Sequence, residues 1–161
     1  MTSAVFQAPG SHHVPAETRH TDLPSVDRPK ILIVESDDAV ARAFAEEGRE
    51  AGYAIVVTDN GIDAVNLAVS EDPQAILFDI DIPGLEGRDV MARLNNLGIT
   101  KRSVVVLVSS RDQQHDRRWG LELGAQRYEI KPVRAAMLFT KIGRLLEKAA
   151  CRRDLMRPPL N

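Results

Sequence analysis

Residues 103–108 read Ser-Val-Val-Val-Leu-Val, and this run limits the fold more than any other segment. β-Branched side chains favour extended backbone, where they pack well on a pleated surface. Successive strand residues point to opposite faces, so a strand that is apolar at every position must be covered on both sides. A sheet with one wet face does not provide that cover. A sheet held between two layers of helices does. Four other short runs extend the pattern: Ile31–Val34, Ala54–Val57, Ala75–Phe78 and Arg127–Ile130.

Between these runs apolar residues recur at helical spacing. Asp37 and Asp38 can cap a helix on which Val40, Phe44, Glu47 and Ala51 fall in register, and Gly52 stops it. Ala64, Val65, Ala68 and Val69 form the next stripe, closed by Asp72-Pro73. Val90, Met91, Leu94 and Leu97 give a third. Residues 112–123 read as a polar fourth helix. Met137, Leu138, Ile142, Leu145 and Leu146 mark the fifth, which starts after Pro132. Five strands alternating with five helices predict an α/β fold: a doubly wound, five-stranded parallel sheet with right-handed crossovers and helices on both faces. The expected strand order is 2-1-3-4-5, the flavodoxin-like order. It opens a crevice at the carboxyl ends of strands 1 and 3.

Chemistry-bearing residues stand at those ends. Glu35 follows the first apolar run, Asp79 the third and Ser109 the fourth, and Lys131 follows Tyr128-Glu129-Ile130. An acid, a central aspartate, a hydroxyl and a lysine are suited to converge on one small anion and one metal ion.

The chain has 161 residues, enough for one domain. Residues 1–28 carry Pro9, Gly10, Pro15 and Pro24 without a periodic apolar face, so they are expected to form a disordered arm with His12, His13 and His20 in solvent. The domain is expected over residues 29–150, and residues 151–161 read as a basic C-terminal tail. A formal charge of −2 provides no global field to recruit nucleic acid or membrane, and no DNA-reading motif accompanies the basic tail. Cys151 is the only cysteine, so no internal disulfide forms. No apolar run approaches the roughly 20 residues of a membrane span, and no signal-peptide pattern opens the chain. The expected location is cytoplasmic.

Four stretches, in order and at matching spacing, carry a resemblance: Ile31-Leu32-Ile33-Val34-Glu35-Ser36-Asp37-Asp38, Leu77-Phe78-Asp79-Ile80-Asp81-Ile82-Pro83-Gly84, Val106-Leu107-Val108-Ser109-Ser110 and Tyr128-Glu129-Ile130-Lys131-Pro132. Together they resemble the receiver domain of two-component response regulators. The resemblance implies that Asp79 is the phosphoacceptor, Ser109 the switch hydroxyl, Lys131 the phosphate-pairing lysine and Tyr128 the switch aromatic. It also implies a Mg2+ ion held by Glu35, Asp79 and residue 81. The family's second acid after strand 1 is here Ser36, which makes a poorer magnesium ligand than a carboxylate. Asp81 is expected to add the missing carboxylate.

By the same resemblance the phosphoryl donor is a histidine kinase or histidine phosphotransfer protein. It would dock near helix 1, where Glu46, Glu47 and Glu50 make an acidic outer side. An output protein would bind the face of helix 4, strand 5 and helix 5 in the expected order. The chain is then a single-domain response regulator with self-catalysed phosphoryl transfer and hydrolysis, not an enzyme that turns over a metabolite. The alternative is a pseudo-receiver, a phosphorylation-independent interaction module that has lost its metal acid at Ser36. A flavin-binding protein of the same fold fits less well, because Glu35-Ser36-Asp37-Asp38 would repel a phosphate.

Overall fold

The computed structural model describes residues 28–156. All of the expected N-terminal arm except Arg28, and residues 157–161, lie outside that range. The described chain runs β1 (Lys30–Val34), α1 (Asp38–Glu50), β2 (Ala54–Thr58), α2 (Gly61–Ser70), β3 (Ala75–Asp79), α3 (Gly87–Asn96), α4 (Ile99–Arg102), β4 (Val104–Ser109), α5 (Gln114–Glu122), β5 (Arg127–Ile130) and α6 (Ala135–Leu155). The strands pair in the order β2-β1-β3-β4-β5, and every pairing is parallel. The expected flavodoxin-like order is therefore the order observed.

Strand alternation divides the core in two. Leu32, Val34, Ile76, Phe78, Val105 and Leu107 meet Ala64 and Ala68 of α2, and Val90, Met91 and Leu94 of α3. Their neighbours Ile31, Ile33, Ala75, Leu77, Val104, Val106 and Val108 face the other way, onto Phe44 and Ala45 of α1 and Leu138, Phe139 and Ile142 of α6. Each fully buried aliphatic or aromatic side chain contributes about 1.5–3 kcal/mol, so a polar residue inside either layer is disfavoured. Polar chemistry is left to the strand ends.

Three features depart from the sequence pattern. A short helix, α4, follows Gly98, whose φ of 71° lets the chain turn and start again, so the described residues hold six helices where five were expected. Helix α6 continues to Leu155, past the expected domain end at residue 150. Finally, α1 buries Ala41, Phe44, Ala45 and Gly48, not the stripe through Val40, Glu47 and Ala51. Small residues let α1 approach closely. A β-carbon on Gly48 would lie 2.6 Å from Ile55 Cδ1 and 2.9 Å from Phe139. Close approach to β2 and α6 selects that face.

Candidate functional site

Each strand end delivers one polar side chain to the crevice. β1 runs into Glu35, whose backbone N–H donates to Thr58 O at 3.0 Å, so pairing with β2 extends one residue past the strand. Glu35 is 3% exposed, and its Oε1 accepts from Asp37 N at 2.9 Å. β3 ends at Asp79, which is 5% exposed, and Asp79 Oδ1 accepts from Asp81 N at 2.8 Å. β4 ends at Ser109, which is fully buried. After β5 the Lys131 N–H donates to Ser109 O at 2.9 Å, which aims the lysine side chain back over the sheet edge.

Lys131 Nζ then reaches both acids, at 2.7 Å from Glu35 Oε2 and 2.7 Å from Asp79 Oδ2. Burial alone lowers the pKa of this ammonium, but the hydrogen bonds and charges of Asp79 and Glu35 outweigh it, and the net direction is upward from 10.5. Two buried carboxylates share one ammonium, so the trio keeps one unbalanced negative charge. Such a cleft attracts a further cation.

The Asp81 side chain, expected to share a metal ion with Glu35 and Asp79, lies against Arg111 and Ser109. Its Oδ1 lies 2.8 Å from Arg111 Nε, and its Oδ2 accepts from the Ser109 hydroxyl at 3.0 Å. Among the described residues no three acid, histidine or cysteine side chains lie where they could hold one metal ion. The guanidinium of Arg111 is the physical reason, because it offers Asp81 a full opposite charge on the β4–α5 side. Ser36 is exposed, and Asp37 is occupied as the N-cap of α1, accepting from Ala39 N and Val40 N. Glu35 and Asp79 are the two buried carboxylates that meet at Lys131. That suits Mg2+, which takes one or two carboxylates with water and phosphate completing its shell.

Tyr128 is buried, and its hydroxyl donates to Arg111 O at 3.1 Å. Burial pushes its phenol pKa up. Ser109 and Arg111 oppose this, and the charges of Asp116 and Asp81 reinforce it. Arg111 thus holds Asp81 through its side chain and Tyr128 through its carbonyl, while its N–H donates to Ser109 Oγ at 3.0 Å. Sequence reading missed Arg111. Its one signal was a cation two residues beyond a strand-end hydroxyl. Asp116 was missed too: it is buried on α5 beside Trp119, whose Nε1 donates to it at 3.3 Å.

Residues 31–143 match the family model described as the response regulator receiver domain. The chain belongs to the response regulator receiver family. This receiver is 32% identical to the protein PilH of Pseudomonas aeruginosa over 117 residues, covering 73% of this chain and 97% of that one. It is 31% identical to the uncharacterized transcriptional regulatory protein YkoG of Bacillus subtilis, covering 73% of this chain and 50% of that one. The receiver spans about half the length of several of the curated relatives it matches. Among solved structures it resembles the CheY-like receiver domain protein of Methanospirillum hungatei, with a TM-score of 0.73 at 23% identity, covering 78% of this chain and 98% of that one. It also resembles the BeF3-activated N-terminal receiver domain of Klebsiella pneumoniae RstA, with a TM-score of 0.66 at 28% identity, covering 73% of this chain and 97% of that one. Among the described residues no helix is long and apolar enough to cross a membrane.

Proposed function

We propose that this receiver accepts a phosphoryl group on Asp79 from a phosphohistidine donor and signals by rearranging Ser109, Arg111 and Tyr128. One observation carries the reading. A single ammonium, Lys131 Nζ, is hydrogen-bonded to the Asp79 carboxylate at the centre of the sheet and to Glu35 beside it. A carboxylate nucleophile needs charge neutralisation on the incoming phosphoryl oxygens and an in-line approach. Lys131 already sits at the nucleophile and can pass one contact to a phosphoryl oxygen.

In the proposed step an Asp79 carboxylate oxygen bonds to phosphorus as the phosphorus–nitrogen bond to the donor histidine breaks. The imidazole leaves with that electron pair, and the product is an acyl phosphate. Asp81 N–H holds Asp79 Oδ1, so the carboxylate enters the step with a fixed orientation. Glu35 and Asp79 are the residues that would hold Mg2+, whose bound form supplies charge neutralisation on the phosphoryl oxygens. Ser109 then exchanges its bond to Asp81 for one to a phosphoryl oxygen. Freed of Ser109, the Asp81–Arg111 pair can shift, and the Arg111 carbonyl carries Tyr128 with it. The output partner reads this on the face of α5, β5 and α6. The donor docks at a groove of about 600 Å3 beside Lys131, walled by Ala39, Val40 and Phe44 of α1 and by Pro132 and Val133. Its apolar walls suit a helix of a histidine kinase or histidine phosphotransfer protein.

Exposed Ser36 in place of an acid supports the second reading, a pseudo-receiver that binds partners without phosphorylation. One experiment separates the two. Parent protein and Asp79→Asn are incubated with acetyl phosphate and magnesium, then weighed intact. The proposal expects one added phosphoryl group on the parent and none on the variant. Equal labelling of both would remove Asp79 as the acceptor. No labelling of the parent at high magnesium would leave the pseudo-receiver.

A further inference from the structure

At the opposite pole of the sheet, α4, the start of β4 and the end of α6 enclose a cleft of about 480 Å3. Five of its lining residues are cations: Lys101, Arg102, Lys148, Arg152 and Arg153. None is an acid. Arg102 is partly satisfied, its Nε lying 2.8 Å from Asp72 Oδ1. The other four have no ion-pair partner among the described residues.

Helix ends favour cations, and Arg152 and Arg153 stand in the last turn of α6. That effect is too small to account for the cluster. The C-termini of α4 and α6 each carry roughly half a negative charge, and Asp72 supplies one more, so about three positive charges remain uncompensated. The cations also come from two separate elements, α4 and α6, that the fold brings together.

The neutral polar groups point to the same ligand. Gln126 Oε1 accepts from Val105 N at 2.6 Å, so its amide N–H groups are the ones left to donate. The Ser103 hydroxyl is already spent on Pro73 O at 2.7 Å. Among its polar side chains the cleft thus offers four unpaired cations and the Gln126 amide as donors. Its remaining lining is apolar, from Val104, Leu145 and Ala149, with Met156 at the rim, and Met156 is 84% exposed. A volume of this size suits a small molecule, and an apolar wall beside clustered cations suits a flat ring joined to phosphates.

We propose that this cleft binds a nucleotide carrying two or more phosphates, with the phosphates on Lys101, Lys148, Arg152 and Arg153 and the base against Leu145 and Met156. The site is separate from Asp79, and its occupation does not depend on phosphorylation. A nucleic-acid strand is less well matched, because the chain's overall charge is −2.

The test is calorimetric titration of the full chain with ATP in magnesium-free buffer, alongside pyrophosphate and a short single-stranded oligonucleotide. Saturable ATP binding is expected, weakened roughly tenfold or more in the Arg152→Ala/Arg153→Ala double variant, because charged hydrogen bonds to phosphate are lost. Lys101→Ala, on a different element, should weaken it in the same direction. Asp79→Asn should bind as the parent does. Circular dichroism of each variant checks the fold. Pyrophosphate should bind more weakly than ATP. Absence of saturable ATP binding, undiminished binding by both cleft variants, pyrophosphate matching ATP, or oligonucleotide binding that ATP does not displace would each overturn the proposal.

Discussion

Lys131 Nζ lies 2.7 Å from Asp79 Oδ2, joining two residues 52 positions apart in the chain. The contact closes the loop after β5 onto the centre of the sheet. It also makes the lysine a structural member of the site. A lysine after a strand normally sits in solvent, and its loss changes stability by no more than about 0.5 kcal/mol. Here the side chain is 22% exposed and is the shared partner of two buried acids.

Lys131→Ala is therefore expected to destabilise the receiver. Breaking a buried pair costs about 3–5 kcal/mol, and partial exposure of the lysine reduces this to roughly 2 kcal/mol. The variant leaves Glu35 and Asp79 facing each other without a cation. Magnesium should then raise its melting temperature by more than it raises the parent's. Urea unfolding with and without magnesium measures both effects. A variant as stable as the parent would show that the lysine contact is energetically idle.

Ser36→Asp should tighten magnesium binding. Residue 36 is exposed beside Glu35, so an added carboxylate meets no packing obstacle. Asp81→Asn should leave magnesium binding as it is, because Asp81 faces Arg111 and Ser109. Its signature should appear instead in Trp119 fluorescence, since Trp119 lines the same cleft as Asp81 and Arg111. Magnesium titration of each variant decides the matter. A clear loss of affinity in Asp81→Asn would return that residue to the metal.

Stability should be level from neutral pH to about pH 10 and fall above it. Lys131 and Tyr128 both titrate above their ordinary values of 10.5 and 10.0. A group whose folded pKa is raised holds its proton more tightly in the folded state. Its stabilisation is complete below the unfolded pKa and is lost as pH rises through the folded one. Urea midpoints across the alkaline range test this, with tyrosinate absorbance alongside. Tyr53 is also shifted upward, by burial first and then by Glu147, so both tyrosines should ionise later in the native protein than in urea. Identical ionisation curves would contradict the buried setting of Tyr128.

Gly87→Ala should destabilise the protein by about 1–3 kcal/mol, as overpacking does. A β-carbon there would sit 2.7 Å from Ile80 O and 2.8 Å from Ile80 Cβ. Backbone cannot swing aside as a side-chain tip can. The strain would fall on the loop carrying Asp81, so phosphoryl labelling should slow as well. Thermal melts and labelling time courses report the two consequences. Unchanged melting would mean that α3 can slide away from β3.

The sequence alone determined the layer architecture, because burial and periodicity are local properties. A valine run apolar at every position demands cover on both faces, and alternating helical stripes supply it. The same alternation made the sheet parallel, and a parallel sheet places Glu35, Asp79, Ser109 and Lys131 at one edge. Asp37 could be read as a cap because capping acts within one helical turn.

Tertiary structure decided what local pattern cannot encode. The small face of α1 was chosen by how closely that helix approaches Ile55 and Phe139, a distance that no hydrophobic stripe records. Asp81 was assigned to Arg111 and Ser109, not to Asp79, by a competition between charges from separate loops. The five-cation cleft exists because α4 and the end of α6 meet in space. In each case the deciding term is a contact between residues distant in the chain, and its strength depends on geometry that only the folded backbone sets.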